Sequence, residues 1–186
     1  MSAADNVARY VIRNNSITSA LIVSPPGMGK TTILRELARL SSEKGCNVAI
    51  VDERSELAAC SGGVPQFRLG PRCDVLYGVN KAEGIMMMVR SMSPDIVVTD
   101  EIGRDEDAEA ILTALSSGVK VFASLHGDGI KDVVSKNFME RLITEKAFGA
   151  YIFLSSSEVG KISKILDGDL KDINFLGDVL NAQHCS

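Results

Sequence analysis

Residues 24–32 read SPPGMGKTT, and the fold turns on how they are read. The pattern G-x-x-x-x-G-K-[ST] describes a loop whose backbone N–H groups curl around phosphate oxygens where a helix begins. Ser24 stands where that pattern has its first glycine, and every later position agrees. This position ends a strand, where no positive φ is needed, so a small residue can replace glycine. Gly27 and Gly29 have no Cβ and let the backbone approach phosphate closely, with Pro26, Met28 and Thr32 completing the loop. Lys30 would reach the terminal phosphates, and the Thr31 hydroxyl would hold Mg²⁺. A phosphate loop needs a strand before it and a helix after it. SALIV (19–23) is a compact apolar run. KTTILRELARLSSEKG (30–45) sets Ile33, Leu34, Leu37, Ala38 and Leu40 at helical spacing, with Gly45 as the stop. A helix-capping loop with a surface lysine is the plainer alternative; the flanking strand and helix favour nucleotide binding.

Outward from the loop, strands and helices alternate. NVAIVDE (47–53), PDIVVTDE (94–101), VKVFASLHGD (119–128) and AYIFLSSS (150–157) read as strands, and the nearly continuous apolar runs mark a sheet buried on both faces. KAEGIMMMVRSMS (81–93), DEDAEAILTALSSG (105–118) and about 138–148 read as helices, and GKISKILDGDL (160–170) as an antiparallel edge strand. Residues 3 to about 14 read as a helix with Val7, Tyr10 and Val11 on one face. Residues 61–80 are rich in glycine and proline and read as a long ordered loop, with room for a short strand. The methionines at 86–88 and Met92 read as helix packing. The expectation is one α/β domain on a mostly parallel sheet: an N-terminal helix (1–15), a nucleotide-binding core (16–166) and a C-terminal tail (167–186).

Three further groups of residues point to what the phosphate is used for. Asp100 and Glu101 follow the apolar run Ile96–Val98 and Thr99 of a buried strand. Ligands of such sheets bind at the carboxyl ends of strands, so Asp100 would face Lys30 and hold Mg²⁺, partly through water. A carboxylate at Glu101 would orient an attacking water, which suits hydrolysis. The turn VDERSE (51–56) places Glu53 and Glu56 beyond a second buried strand, and His126 ends a third. That imidazole is placed to sense the γ-phosphate and relay its loss. Pairing of Glu101 with Arg104, a solvated acidic turn and a structural histidine are the plainer readings. Arg54, Arg68, Arg72, Arg90 and Arg104 are candidates to oppose charge developing in the transition state, in cis or from a neighbour. His184, in a polar tail, has no assigned role.

Composition narrows the class. The chain of 186 residues allows one good hydrophobic core, and its net charge of −4 gives no electrostatic footprint for nucleic acid. Cys46, Cys60, Cys73 and Cys185 form no C-x-x-C pair, so reduced thiols are expected rather than a zinc site or disulfide framework. No apolar run has membrane-spanning length, and the first residues lack the layout of a signal peptide; a cytoplasmic location is expected, at a membrane only through partners.

Together SPPGMGKTTILRELAR (24–39), VDERSELAAC (51–60), GVPQFRLGPRCDVLYG (63–78), KAEGIMMMVRSMSPDIVVTDEIG (81–103) and EDAEAILTALSSGVKVFASLHG (106–127) resemble the stage III sporulation protein AA family. The resemblance spans roughly 16–166. It implies a RecA-like P-loop ATPase related to the type II and type IV secretion ATPases, working with ATP/ADP and Mg²⁺ in the mother cell. It further implies a hexameric ring that energises a membrane-embedded channel to the forespore. Under it Lys30 and Thr31 belong to Walker A, Asp100 and Glu101 to Walker B, 52–56 to the acidic box and His126 to the histidine box. The family carries a further N-terminal region, so this chain is expected to be its ATPase domain or a short homologue. A nucleotide-gated docking module with little hydrolysis and a RecA-like nucleic-acid motor are the competing readings; a small-molecule kinase fits less well because no substrate lid is evident.

Overall fold

Five segments are too uniformly apolar for a one-sided sheet, and each becomes a strand with both faces covered. The computed structural model describes residues 3–13 and 16–173. In chain order the elements are α1 (Ala3–Val11), β1 (Ile12–Arg13), β2 (Ser16–Ile17), β3 (Ala20–Ser24), α2 (Lys30–Glu43), β4 (Val48–Asp52) and β5 (Cys73–Tyr77). There follow α3 (Lys81–Met92), β6 (Ile96–Glu101), α4 (Asp105–Ser116), β7 (Lys120–His126), α5 (Ile130–Ser135), α6 (Asn137–Thr144), β8 (Ala150–Leu154) and β9 (Ile162–Asp167).

The main sheet runs β5-β4-β6-β7-β3-β8-β9, parallel throughout except for β9, which lies antiparallel on β8 at the edge. Alternate residues of each strand serve opposite layers. Leu21, Val23, Ala49, Val51, Val97 and Val121 pack under α3, α4 and α6. Ala20, Ile22, Val48, Ile50, Val98 and Phe122 pack under α1 and α2. Because the strands are parallel, the carboxyl ends of β3, β7, β6 and β4 stand side by side on one rim.

Three expectations change in detail. The N-terminal helix stops at Val11, where β-branched Ile12 leaves it to pair with Ile17 in a two-stranded ribbon. The glycine-rich segment 61–80 holds a full edge strand, with all five residues of β5 in register on β4. The helix expected at about 138–148 is α6, which ends earlier; Lys146 takes a left-handed conformation and the Ala147 N–H returns to the Leu142 carbonyl at 2.8 Å. The methionines divide: Met88 is buried, whereas Met87 and Met92 stand 55% and 43% exposed. His184 and Cys185 lie outside the described residues.

Candidate functional site

The loop after β3 is shaped by its glycines. Gly27 and Gly29 have φ of 75° and 95°, the left-handed region where a side chain is strained, and a Cβ on Gly27 would meet nothing within 4 Å. Ser24 is not among the left-handed residues; it is buried, and its hydroxyl donates to the Pro25 carbonyl at 2.9 Å. Lys30 opens α2 and folds back across the loop, donating to the carbonyls of Ser24 (2.8 Å) and Pro25 (3.1 Å). Burial pulls its ammonium below the ordinary lysine range, while Glu101 and then Glu56 pull it up. Glu101 and Glu56 thus act on the Lys30 charge although 71 and 26 residues separate them from it, as the parallel order of β3, β7, β6 and β4 requires of residues at the carboxyl ends of their strands. The first turn of α2 carries no acidic residue, so its positive end is free for an anion; Thr31 and Thr32 sit there, half-buried and exposed.

The acidic turn after β4 is built on Asp52. This fully buried carboxylate accepts from the N–H groups of Glu56 (2.9 Å), Leu57 (3.2 Å) and Ala58 (2.8 Å). Asp52 thus shapes the backbone, and Glu53 and Glu56 are left to face the crevice. Ser55 and Ala59 take left-handed backbone, with φ of 55° and 48°. Arg35 of α2 donates to the carbonyls of Leu57 (2.8 Å) and Glu56 (3.0 Å) and stacks 3.6 Å over Phe67, tying this turn to the phosphate-loop helix.

Asp100 and Glu101 end β6, one buried and one exposed. Their nearest cation is one the sequence patterns did not single out. Lys81, the first residue of α3, is 4% exposed and lies 2.6 Å from Asp100 Oδ1 and 3.6 Å from Glu53 Oε2. It also donates to the main-chain carbonyl of Glu101. Lys81 thus answers Asp100 Oδ1 as a close ion pair, while Asp100 Oδ2 has no donor among the described residues. Burial pushes the Asp100 carboxyl above its ordinary range; Lys81 opposes this, and Asp52 and Glu53 add to it. Lys81 and Arg35 gave no signal in the sequence beyond being charged residues at helical positions.

β7 lies between β3 and β6, and His126 at its end is exposed and in register with Ser24. All five candidate arginines are exposed, but topology sorts them. Arg54 and Arg104 follow strand ends on the crevice rim. Arg68 pairs with Glu43 at the far end of α2 (3.2 Å), and Arg72 donates to the carbonyl of Gly45 and to Asn47 Oδ1 at the opposite rim. Arg90 sits in the last turn of α3, also away from the crevice.

The residues present fit a magnesium-bound nucleoside phosphate. The donors are the loop amides, the α2 terminus and Lys30; the unpaired buried acceptor is Oδ2 of Asp100. Among the described residues no group of three His, Cys, Asp or Glu side chains could hold a metal alone. That suits Mg²⁺, which takes few protein ligands and completes its shell with phosphate and water.

A family profile described as "Sporulation stage III, protein AA" matches residues 1–171. The chain belongs to this family. Stage III sporulation protein AA of Bacillus subtilis (strain 168) is 48% identical over 191 aligned positions, spanning all of this chain and 61% of that relative. This chain thus covers under two thirds of the length of that family member. Among solved structures, the Legionella pneumophila ATPase DotB superposes with a TM-score of 0.60 at 19% identity, over 96% of this chain and 51% of that one. The VirB11 ATPase of the Brucella suis type IV secretion system gives 0.61 at 14% identity, over 88% and 50%. At such identities the likeness concerns the fold, a RecA-like core shared with secretion ATPases. No helix among the described residues of this family member is long and apolar enough to cross a membrane.

Proposed function

We propose that the chain is a Mg²⁺-dependent ATPase that energises a secretion-like channel between mother cell and forespore. The observation that carries the reading is the rim formed by the carboxyl ends of β3, β7, β6 and β4, which brings the Lys30 loop, Asp100 with Glu101, and Glu53 to one side of the sheet, Asp100 and Glu53 sharing Lys81. Bound MgATP supplies the phosphoryl group to be transferred to water. The loop from Pro26 to Gly29 cradles the phosphates, Lys30 leaves the carbonyls of Ser24 and Pro25 for the terminal phosphate, and Thr31 and Asp100 hold the metal, partly through water. Glu101 orients the attacking water, with Glu53 and Glu56 on the same wall, and His126 reports phosphate loss to β3 and the loops beyond β7. The reading includes association into a ring, membrane-embedded channel proteins as partners and the mother-cell cytoplasm as the site of work; family membership and the fold likeness support it.

The reading is tested on purified protein by calorimetry and phosphate release. Lys30→Ala is expected to abolish MgATP and MgADP binding, and Glu101→Gln to keep binding while turnover falls about 10²–10⁴-fold. Wild-type protein that binds without turnover would favour the docking module instead. Well-folded protein with no affinity for either nucleotide would remove the ATPase reading altogether.

A further inference from the structure

Lys81 belongs to no nucleotide-binding pattern, yet it is buried more deeply than Lys30, at 4% against 8% exposure. An ammonium taken out of water persists only where anions or carbonyls surround it. Its three partners come from two neighbouring strands: Glu53 beyond β4, and Asp100 with the Glu101 carbonyl at the end of β6. The β4–β6 pairing ends at Val51 and Thr99, so the Glu101 carbonyl lies beyond that ladder and Lys81 supplies its donor. One ammonium thus fixes the main chain that carries the exposed Glu101 side chain and sets the spacing of Asp100 from Glu53.

The seat of Lys81 is itself specified. Asn80 caps α3, its side chain accepting from the Glu83 N–H at 3.2 Å. One turn on, Gly84 lets the helix lie directly on β4; a Cβ there would stand 2.7 Å from Val51 Cγ1 and 3.0 Å from Val79 Cγ2. The seat is separate from the 24–32 loop, which follows β3 on the other side of β7.

We propose that Lys81 is a positioning residue of the hydrolytic site. It aims Glu101 through the main chain, and it occupies enough of the Asp52–Glu53–Asp100 charge that a single divalent cation, arriving with the phosphates, completes the cluster. This rests on the ATPase reading above.

Two variants of the full chain test it. Lys81→Met removes the charge; Gly84→Ala keeps it and displaces the first turn of α3 from β4. Both are expected to lower kcat about 10–100-fold with KM for MgATP held within about two-fold. Lys81→Met alone is expected to lower the half-saturating Mg²⁺ concentration several-fold, because a competing positive charge is gone. In nucleotide-free protein, amide exchange at residues 101–103 is expected to quicken in both variants while β3 stays protected. Should Lys81→Met fail to fold, Gly84→Ala carries the test. Unchanged kcat in either folded variant, KM rising in step with the loss of kcat, or exchange quickening evenly across the sheet overturns the proposal. Wild-type protein without turnover refutes the ATPase reading, and the exchange measurement still decides whether Lys81 holds the end of β6.

Discussion

Asp52 and Tyr151 are both fully buried polar residues, and they differ in what meets their polar atoms. Asp52 is answered by three backbone N–H groups, so it organises the turn that carries Glu53 and Glu56. Asp52→Ala leaves those donors unpaired and is expected to cost about 3 kcal/mol, read from chemical denaturation, with a loss of turnover beyond what partial unfolding explains. The Tyr151 hydroxyl has no partner among the described residues, and burial pushes the phenol up to about 12. Replacing it with phenylalanine removes an unpaired hydroxyl without opening a cavity, so Tyr151→Phe should leave the melting temperature unchanged or raise it. The sign of its pH effect follows. The unfolded chain ionises this tyrosine near its ordinary value of about 10, before the folded protein does, so stability falls as pH rises from there through about 12. The difference between spectrophotometric titrations of wild type and Tyr151→Phe isolates this phenol from Tyr10 and Tyr77; a difference signal already complete near pH 10 in the folded protein contradicts the burial.

At the scale of elements, the segment 61–80 shows how far a composition can be read. Its glycines and prolines mark irregular backbone, and the short strand for which the segment has room is β5, whose five residues are partly buried or exposed at the sheet edge and carry a weak pattern. What seats that segment is Gly70, at φ 104°, where a Cβ would lie 2.7 Å from Ser42 Cβ and 3.1 Å from the Arg39 carbonyl. The same Ser42 hydroxyl accepts from the Arg72 N–H at 2.6 Å. Gly70→Ala should therefore cost about 2–4 kcal/mol by strain and overlap together, lowering the urea midpoint; a shift under about 0.5 kcal/mol would show that the loop yields freely. The phosphate loop and the acidic strand end were legible because their residues are neighbours in the chain. Arg35 and Lys81 were not, because their partners lie about 20 residues away and charged residues at helical spacing ordinarily face solvent.

At the scale of the molecule, the sheet order decides which arginines a single chain can offer its own site. Arg54 and Arg104 stand on the crevice rim, whereas Arg68 and Arg72 are engaged at the opposite end. Alanine at Arg54 or Arg104 is expected to lower kcat about 10²-fold or more for whichever opposes the transition-state charge. Alanine at Arg72 should change stability by under about 1 kcal/mol and leave kcat of dilute protein unaltered. Steady-state rates across protein concentration separate the cases. A concentration-dependent loss in Arg72→Ala would place that residue in a neighbouring subunit's site. The sequence by itself determined the five central strands, the helices α2, α3 and α4, the loop at 24–32 and the carboxylates that end β4 and β6, because periodicity and motif spacing are properties of adjacent residues. Only the tertiary structure decided that β7 stands between β3 and β6, that Asp52 accepts from three backbone N–H groups while Glu53 pairs with Lys81, and that this lysine from α3 also meets Asp100. Those outcomes depend on which distant segments share a desolvated space, and burial sets the strength of a charge contact there.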